Sequence, residues 1–163
     1  MNTFTASDIA SFYDDRVYNP QDLNTRLSQS VFRPAHHHAG LLWDDVDIPE
    51  DTADALVWMY QAEERLSDYV YAMIAALSTF RPKRYLDLGC GEGGTALRML
   101  ELGGSDIDIM GITLSVRQQE AAKRNCPIGH FVRGNFLEID LSGTFDVWYS
   151  IEATEYLGRG GLM

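Results

Sequence analysis

Positive charge is scarce in this chain: 13 Lys and Arg stand against 24 Asp and Glu, for a net charge of −11. Such a surface lacks the electrostatic footprint of a nucleic-acid binder and gains nothing from an anionic lipid face. No apolar run reaches the roughly 18 residues of a spanning helix, and no charged-then-apolar leader opens the chain, so neither a membrane span nor secretion is expected. Cysteine is limited to Cys90 and Cys126, without metal-type spacing, which fits a reducing, cytoplasmic setting. No internal repeat or low-complexity tract is visible. What remains is ordinary for a globular domain: 45% hydrophobic and 23% charged residues in a length of 163, enough for one domain with a real core.

The chain is organised around Tyr85-Leu86-Asp87-Leu88-Gly89-Cys90-Gly91-Glu92-Gly93-Gly94-Thr95. This stretch predicts a buried strand, a glycine turn, and a helix over 95–102. Glycines between strand and helix let backbone approach a ligand, and the helix N-terminus offers unpaired N–H groups. Gly89, Gly91 and Gly94 spell the dinucleotide fingerprint. An α/β domain can also carry such a turn with no ligand. Two details favour S-adenosylmethionine over NAD. Asp87 stands two residues before the first glycine, where a carboxylate can hold a ligand amino group directly or through water. The next strand ends in Gly111-Ile112-Thr113-Leu114-Ser115, without the acid a dinucleotide ribose requires.

In chain order, residues 1–19 predict a helix capped by Thr5 or Ser7, with Ile9, Phe12 and Tyr13 on one stripe. Pro20 interrupts it, and a short second helix carries Leu23 and Leu27. Pro34 ends that helix, and His36-His37-His38-Ala39-Gly40 follows as a loop. Three histidines read either as a metal site or as rings lining a pocket, and no metal site is assigned. The acids of 44–54 read as a solvated linker or a Mg²⁺ cluster. A long amphipathic helix is expected from Thr52 to about Phe80, with Leu56, Tyr60, Leu66, Val70, Met73, Ile74 and Leu77 as its packed stripe. Strands are expected over 84–88 and 107–112, around Phe131 and Val132, and over 145–150. Helices over 95–102 and 115–125 lie between the first three, the latter with Gln118 in a capping-box position behind Ser115. Alternating strands and helices imply a parallel sheet with right-handed crossovers.

Four of these stretches resemble class I S-adenosylmethionine-dependent methyltransferases, and more narrowly the carbon-methylating branch of prenyl diphosphate and sterol C-methyltransferases and cyclopropane-fatty-acid synthases. They are Leu86 to Gly94, then Gly111 to Ser115 with Gln118, then Tyr149-Ser150-Ile151-Glu152-Ala153-Thr154, and the segment from Asn19-Pro20 to Gly40. The resemblance covers roughly residues 15–157. It implies an α/β, Rossmann-like methyltransferase fold: residues 1–80 as an N-terminal helical cap and 81–163 as a partial cofactor-binding domain, one domain overall. The family sheet has seven strands and this sequence supplies four, so the parallel sheet is expected to stop after the fourth. That edge is then covered by a further C-terminal segment or by a second copy in a homo-oligomer.

For the site, the resemblance implies that Asp87, Gly89, Cys90, Gly91 and Gly93 hold the methionine part of the cofactor. Thr113, Leu114 and Gln118 would serve the ribose, although Gln118 also reads as a plain capping residue. Asn135 and Phe136 would flank the adenine, although Asn135 also reads as a turn residue. Glu152 is the candidate catalytic carboxylate, with Tyr156 beside it; the alternative is a surface acid opening a helix. Tyr13, His37 and His38 are expected to line the substrate pocket. The implied activity is methylation of an isoprenoid alkene, leaving a carbocation that Glu152 quenches. A prenyl diphosphate substrate would bring Mg²⁺ with it. Two rival readings stay open: an O- or N-methyltransferase of a small metabolite, and a non-catalytic cofactor-fold subunit.

Overall fold

The computed structural model describes residues 5–17, 40 and 49–154. Helix α1 (Ala6–Ser11) begins at Thr5, whose side chain accepts from the Asp8 N–H while the Asp8 carboxylate accepts from the Thr5 N–H, a reciprocal capping box. The helix continues as a π-helical segment, Phe12–Val17. Helix α2 (Thr52–Leu77) is capped by Asp51, which accepts from the N–H groups of Ala53 and Asp54. Strand β1 (Arg84–Leu88) leads through the glycine turn into α3 (Gly94–Gly103). Then come β2 (Asp108–Thr113), α4 (Val116–Asn125), β3 (His130–Arg133) and β4 (Val147–Tyr149).

The four strands form one parallel sheet in the order β3-β2-β1-β4. Strand alternation decides which residue faces which layer. Tyr85 joins the larger core, with Met99 and Leu100 of α3, Ile109, Ala122 of α4, Phe131 and Tyr149. Leu86, Leu88 and Ile112 face the other way, where Phe136, Ile139, Leu141 and Phe145 from the long β3–β4 connection cover them.

Helix α2 seats on α3 through a narrower stripe than its sequence predicts. Ala62 and Ser67 are fully buried, Val70, Tyr71 and Ile74 pack on the core, and Met73 and Leu77 face solvent. The reason is what lies opposite. Ser67 Oγ donates to Thr95 Oγ1 at 3.2 Å, and Arg98 makes a bidentate pair with Asp68, at 2.6 and 3.1 Å. Polar links between the first turns of α3 and the middle of α2 leave Met73 and Leu77 on the solvent side. Strand β4 is also shorter than the expected 145–150, and Trp148 on it is 66% exposed.

Candidate functional site

Because all four strands run parallel, their carboxyl ends share one edge of the sheet, where open α/β folds bind ligands. A crevice of about 250 Å³ opens there. Its floor is the turn after β1, with Gly89 and Gly91 at φ +86° and +52°. A Cβ on Gly89 would come within 2.2 Å of the Ala153 Cβ, so only glycine lets the segment after β4 fold down against this turn. Gly93 is different. Its added Cβ would meet Ala122 at 3.1 Å, so it serves the packing of α3 on α4.

One wall is the tip of β2 and the start of α4. Ser115 caps α4 by accepting from the Gln118 N–H at 3.0 Å. The Gln118 side chain does not return to close a capping box; its Oε1 accepts from the Thr113 hydroxyl at 2.6 Å. Thr113 in turn accepts from the Ser115 N–H at 3.4 Å. Thr113, Leu114 and Gln118 all line the crevice, and Gln118 Nε2 has no hydrogen-bond partner among the described residues.

Asn135 and Phe136 line the opposite wall. Asn135 is also a turn residue: Oδ1 accepts from the Leu137 N–H at 3.1 Å, and Nδ2 donates to Glu138 at 2.9 Å. Ile151, Glu152 and Ala153 approach from the end of β4. Glu152 has φ +51°, a left-handed conformation uncommon outside glycine and enriched at functional sites. Ala6, Ile9 and Tyr13, one stripe of the N-terminal helix, close the remaining side.

Two of the residues expected at the cofactor have buried side chains. Asp87 lies just before the turn that floors the crevice. Alternation along β1 turns it toward the helix-covered layer, where it is 3% exposed and accepts from the Tyr149 hydroxyl at 3.1 Å. Burial pushes its carboxyl up to about 7, against the lowering effect of that hydrogen bond. The Cys90 side chain packs in the larger core, where burial holds its thiol well above the usual range. Among the calls on pocket residues, His37, His38 and Tyr156 lie outside the described residues.

The sequence reading passed over Glu63, on the buried side of α2. Its carboxyl is pushed up to about 8, first by burial and then by the charge of Glu152. Glu63 therefore holds a proton near neutral pH beside the candidate catalytic carboxylate. The available signal was its place on the helix: Glu63 lies one turn before Ser67, on the face that Ala62 and Ser67 bury. Among the described residues no cluster of three His, Cys, Asp or Glu side chains could hold a metal ion, and no helix is long and apolar enough to cross a membrane.

The residues present fit a small cofactor. The floor is backbone with no side chain in the way, one wall ends in a buried amide whose donor has no partner among the described residues, and the other carries an aromatic ring. A family model described as a methyltransferase domain matches residues 86–161. The O-methyltransferase rstn1 of Aspergillus nomiae is 32% identical over 160 residues, 94% of this chain and 61% of that protein. Cyclopropane-fatty-acyl-phospholipid synthase of Escherichia coli K12 is 28% identical over 84% of this chain and 32% of that protein. Geranyl diphosphate C-methyltransferase of Streptomyces coelicolor A3(2), solved with Mg²⁺, geranyl diphosphate and S-adenosyl-L-homocysteine, superposes with a TM-score of 0.62. It is 20% identical, over 86% of this chain and 52% of that one.

Residues 86–161 thus match a methyltransferase domain, and the chain has a Rossmann-like fold like that of the solved neighbour. The chain spans between 32% and 61% of the length of the two curated relatives.

Proposed function

We propose that this chain is the cofactor-binding part of a carbon methyltransferase acting on an isoprenoid alkene, with a prenyl diphosphate ahead of a sterol-like lipid. The observation that carries the reading is the pairing of an apolar wall with one carboxylate. Ile9, Leu114, Phe136, Leu137 and Ile151 surround the crevice, and Glu152 is the acid that lines it. When bound, S-adenosylmethionine supplies a methyl group already electrophilic on its sulfonium. The protein need only orient an alkene toward it, exclude water, and remove a proton afterwards. Tyr13 offers a ring face to a developing carbocation, an interaction worth roughly 0.5–2 kcal/mol. Glu152 stabilises that cation and takes the proton from the adjacent carbon, which restores a double bond.

In this reading residues 1–80 form a cap over the cofactor domain of 81–163. Mg²⁺, if used, arrives with a diphosphate substrate rather than in a protein site. The open side of β4 is covered by further C-terminal sequence or by a second copy in a homo-oligomer, and the protein works in the cytoplasm. A second reading is favoured by the 32% identity to an O-methyltransferase. There Glu152 removes a proton from a hydroxyl before transfer instead of after it. Incubation with S-adenosylmethionine and either geranyl diphosphate plus Mg²⁺ or a phenolic acceptor separates the two. Mass-spectrometric location of the added methyl on carbon is the expected result; a methyl ether overturns it.

A further inference from the structure

A carboxylate far from the crevice floor ties the N-terminal helix to the cofactor wall. Asp14 Oδ1 accepts from the Ser115 hydroxyl and from the Arg117 N–H at 3.2 Å, across a sequence separation of about one hundred residues. Its immediate neighbour Tyr13 lines the crevice, as do Ala6 and Ile9 on the same stripe. Beyond Ser115 the contacts continue. Ser115 Oγ accepts from the Gln118 N–H, Gln118 Oε1 accepts from Thr113, and Thr113 accepts from the Ser115 N–H. Ser115, Thr113 and Gln118 are at most 5% exposed, so this ring has little room to rearrange. At the start of α4, negative charge also meets unpaired N–H groups and the positive end of the helix dipole.

We propose that Asp14 is a positioning residue that couples seating of the N-terminal helix over the crevice to the Thr113–Gln118 corner that meets the cofactor. The rigid corner meets the cofactor on one side and holds the Asp14 carboxylate, and with it the Tyr13 wall, on the other. By reciprocity, the seated helix strengthens cofactor binding. The inference rests on the crevice holding the cofactor.

Calorimetric titration of the full chain with S-adenosyl-L-homocysteine tests it. Asp14→Ala is expected to weaken binding about tenfold, the order of effect a lost helix cap produces. Asp14→Asn, which keeps the acceptor oxygen and loses the charge, is expected to fall between Ala and wild type. Asp15→Ala, on the exposed side of the same segment, is expected to match wild type. Hydrogen exchange at saturating ligand separates positioning from general destabilisation. Amides of the Gly89–Gly93 turn should stay protected in every variant, while those of 6–17 lose their ligand-induced protection in Asp14→Ala. Wild-type affinity in both Asp14 variants, or loss of protection at the turn in parallel with the helix, overturns the inference. Failure of wild type itself to bind overturns the cofactor reading beneath it.

Discussion

The phenolic hydroxyl of Tyr149 donates to Oδ2 of Asp87 at 3.1 Å, joining neighbouring parallel strands where both side chains are buried. The bond helps satisfy a carboxyl whose charged form would lose its water. Burial wins the balance, which is why the Asp87 carboxyl rises from 3.8 to about 7.

A pH dependence of stability follows from that shift. A carboxyl with a raised folded value binds more protons in the folded state than in the unfolded one. Its stabilising contribution is full below the unfolded value near 3.8 and is lost as pH climbs through about 7. Glu63, raised from 4.5 to about 8, acts in the same direction. Denaturant titrations are expected to show lower stability at pH 8.5 than at pH 5.5. Asp87→Asn keeps an acceptor for Tyr149 and removes the charge, so it should flatten that slope and raise stability at pH 8.5. A slope unchanged in Asp87→Asn and Glu63→Gln would assign the dependence to other groups.

The same residue marks the limit of what the sequence could say. Motif position marks Asp87, but it does not record the hydrogen bond from Tyr149, 62 residues further on. Helix and strand positions were legible because glycines, caps and apolar periods mark them locally: Ser115 caps α4 as expected, and Gly104 stands at the end of α3. Thr113 and Gln118 were legible as a pair because five residues of a strand-to-helix turn keep them adjacent. Asp14 and Glu63 were not. Each acts through a partner about ninety to one hundred residues away, and neither periodicity nor spelling records such a contact.

Gly89→Ala is expected to abolish binding of S-adenosyl-L-homocysteine. The new methyl would sit 2.2 Å from the Ala153 Cβ and drive the Ile151–Ala153 segment, with Glu152, away from the turn. Ala153→Gly in the same chain removes the clash and should restore part of the affinity. The recovery stays incomplete because φ +86° strains any residue with a Cβ. Calorimetry on the single and double variants checks this, and no recovery in the double variant would place the damage elsewhere.

Glu152→Gln preserves shape and removes the base. Cofactor affinity should hold, while turnover of an alkene substrate falls by about 10²–10⁴-fold, the usual worth of a positioned base. Single-turnover kinetics beside a cofactor titration gives both quantities. Turnover unchanged, or lost in step with cofactor affinity, would return Glu152 to a structural role.

The free side of β4 carries the last expectation. Within the sheet β4 pairs only with β1, so its other backbone edge is unpaired among the described residues, and Trp148 stands 66% exposed on it. Val147 and Tyr149, on either side of Trp148, turn inward in part or wholly, so the strand keeps a regular alternation with no charge on it. An uncharged edge strand bearing a large apolar side chain pairs readily with another chain. A protein of these 163 residues is therefore expected to self-associate at micromolar concentration. Trp148→Lys places a charge on the edge while leaving the buried Tyr149 in place, and it should shift the population toward monomer. Light scattering across a dilution series reads the change. A monodisperse, cooperatively melting wild-type monomer of 18.3 kDa would show that the four strands need no cover.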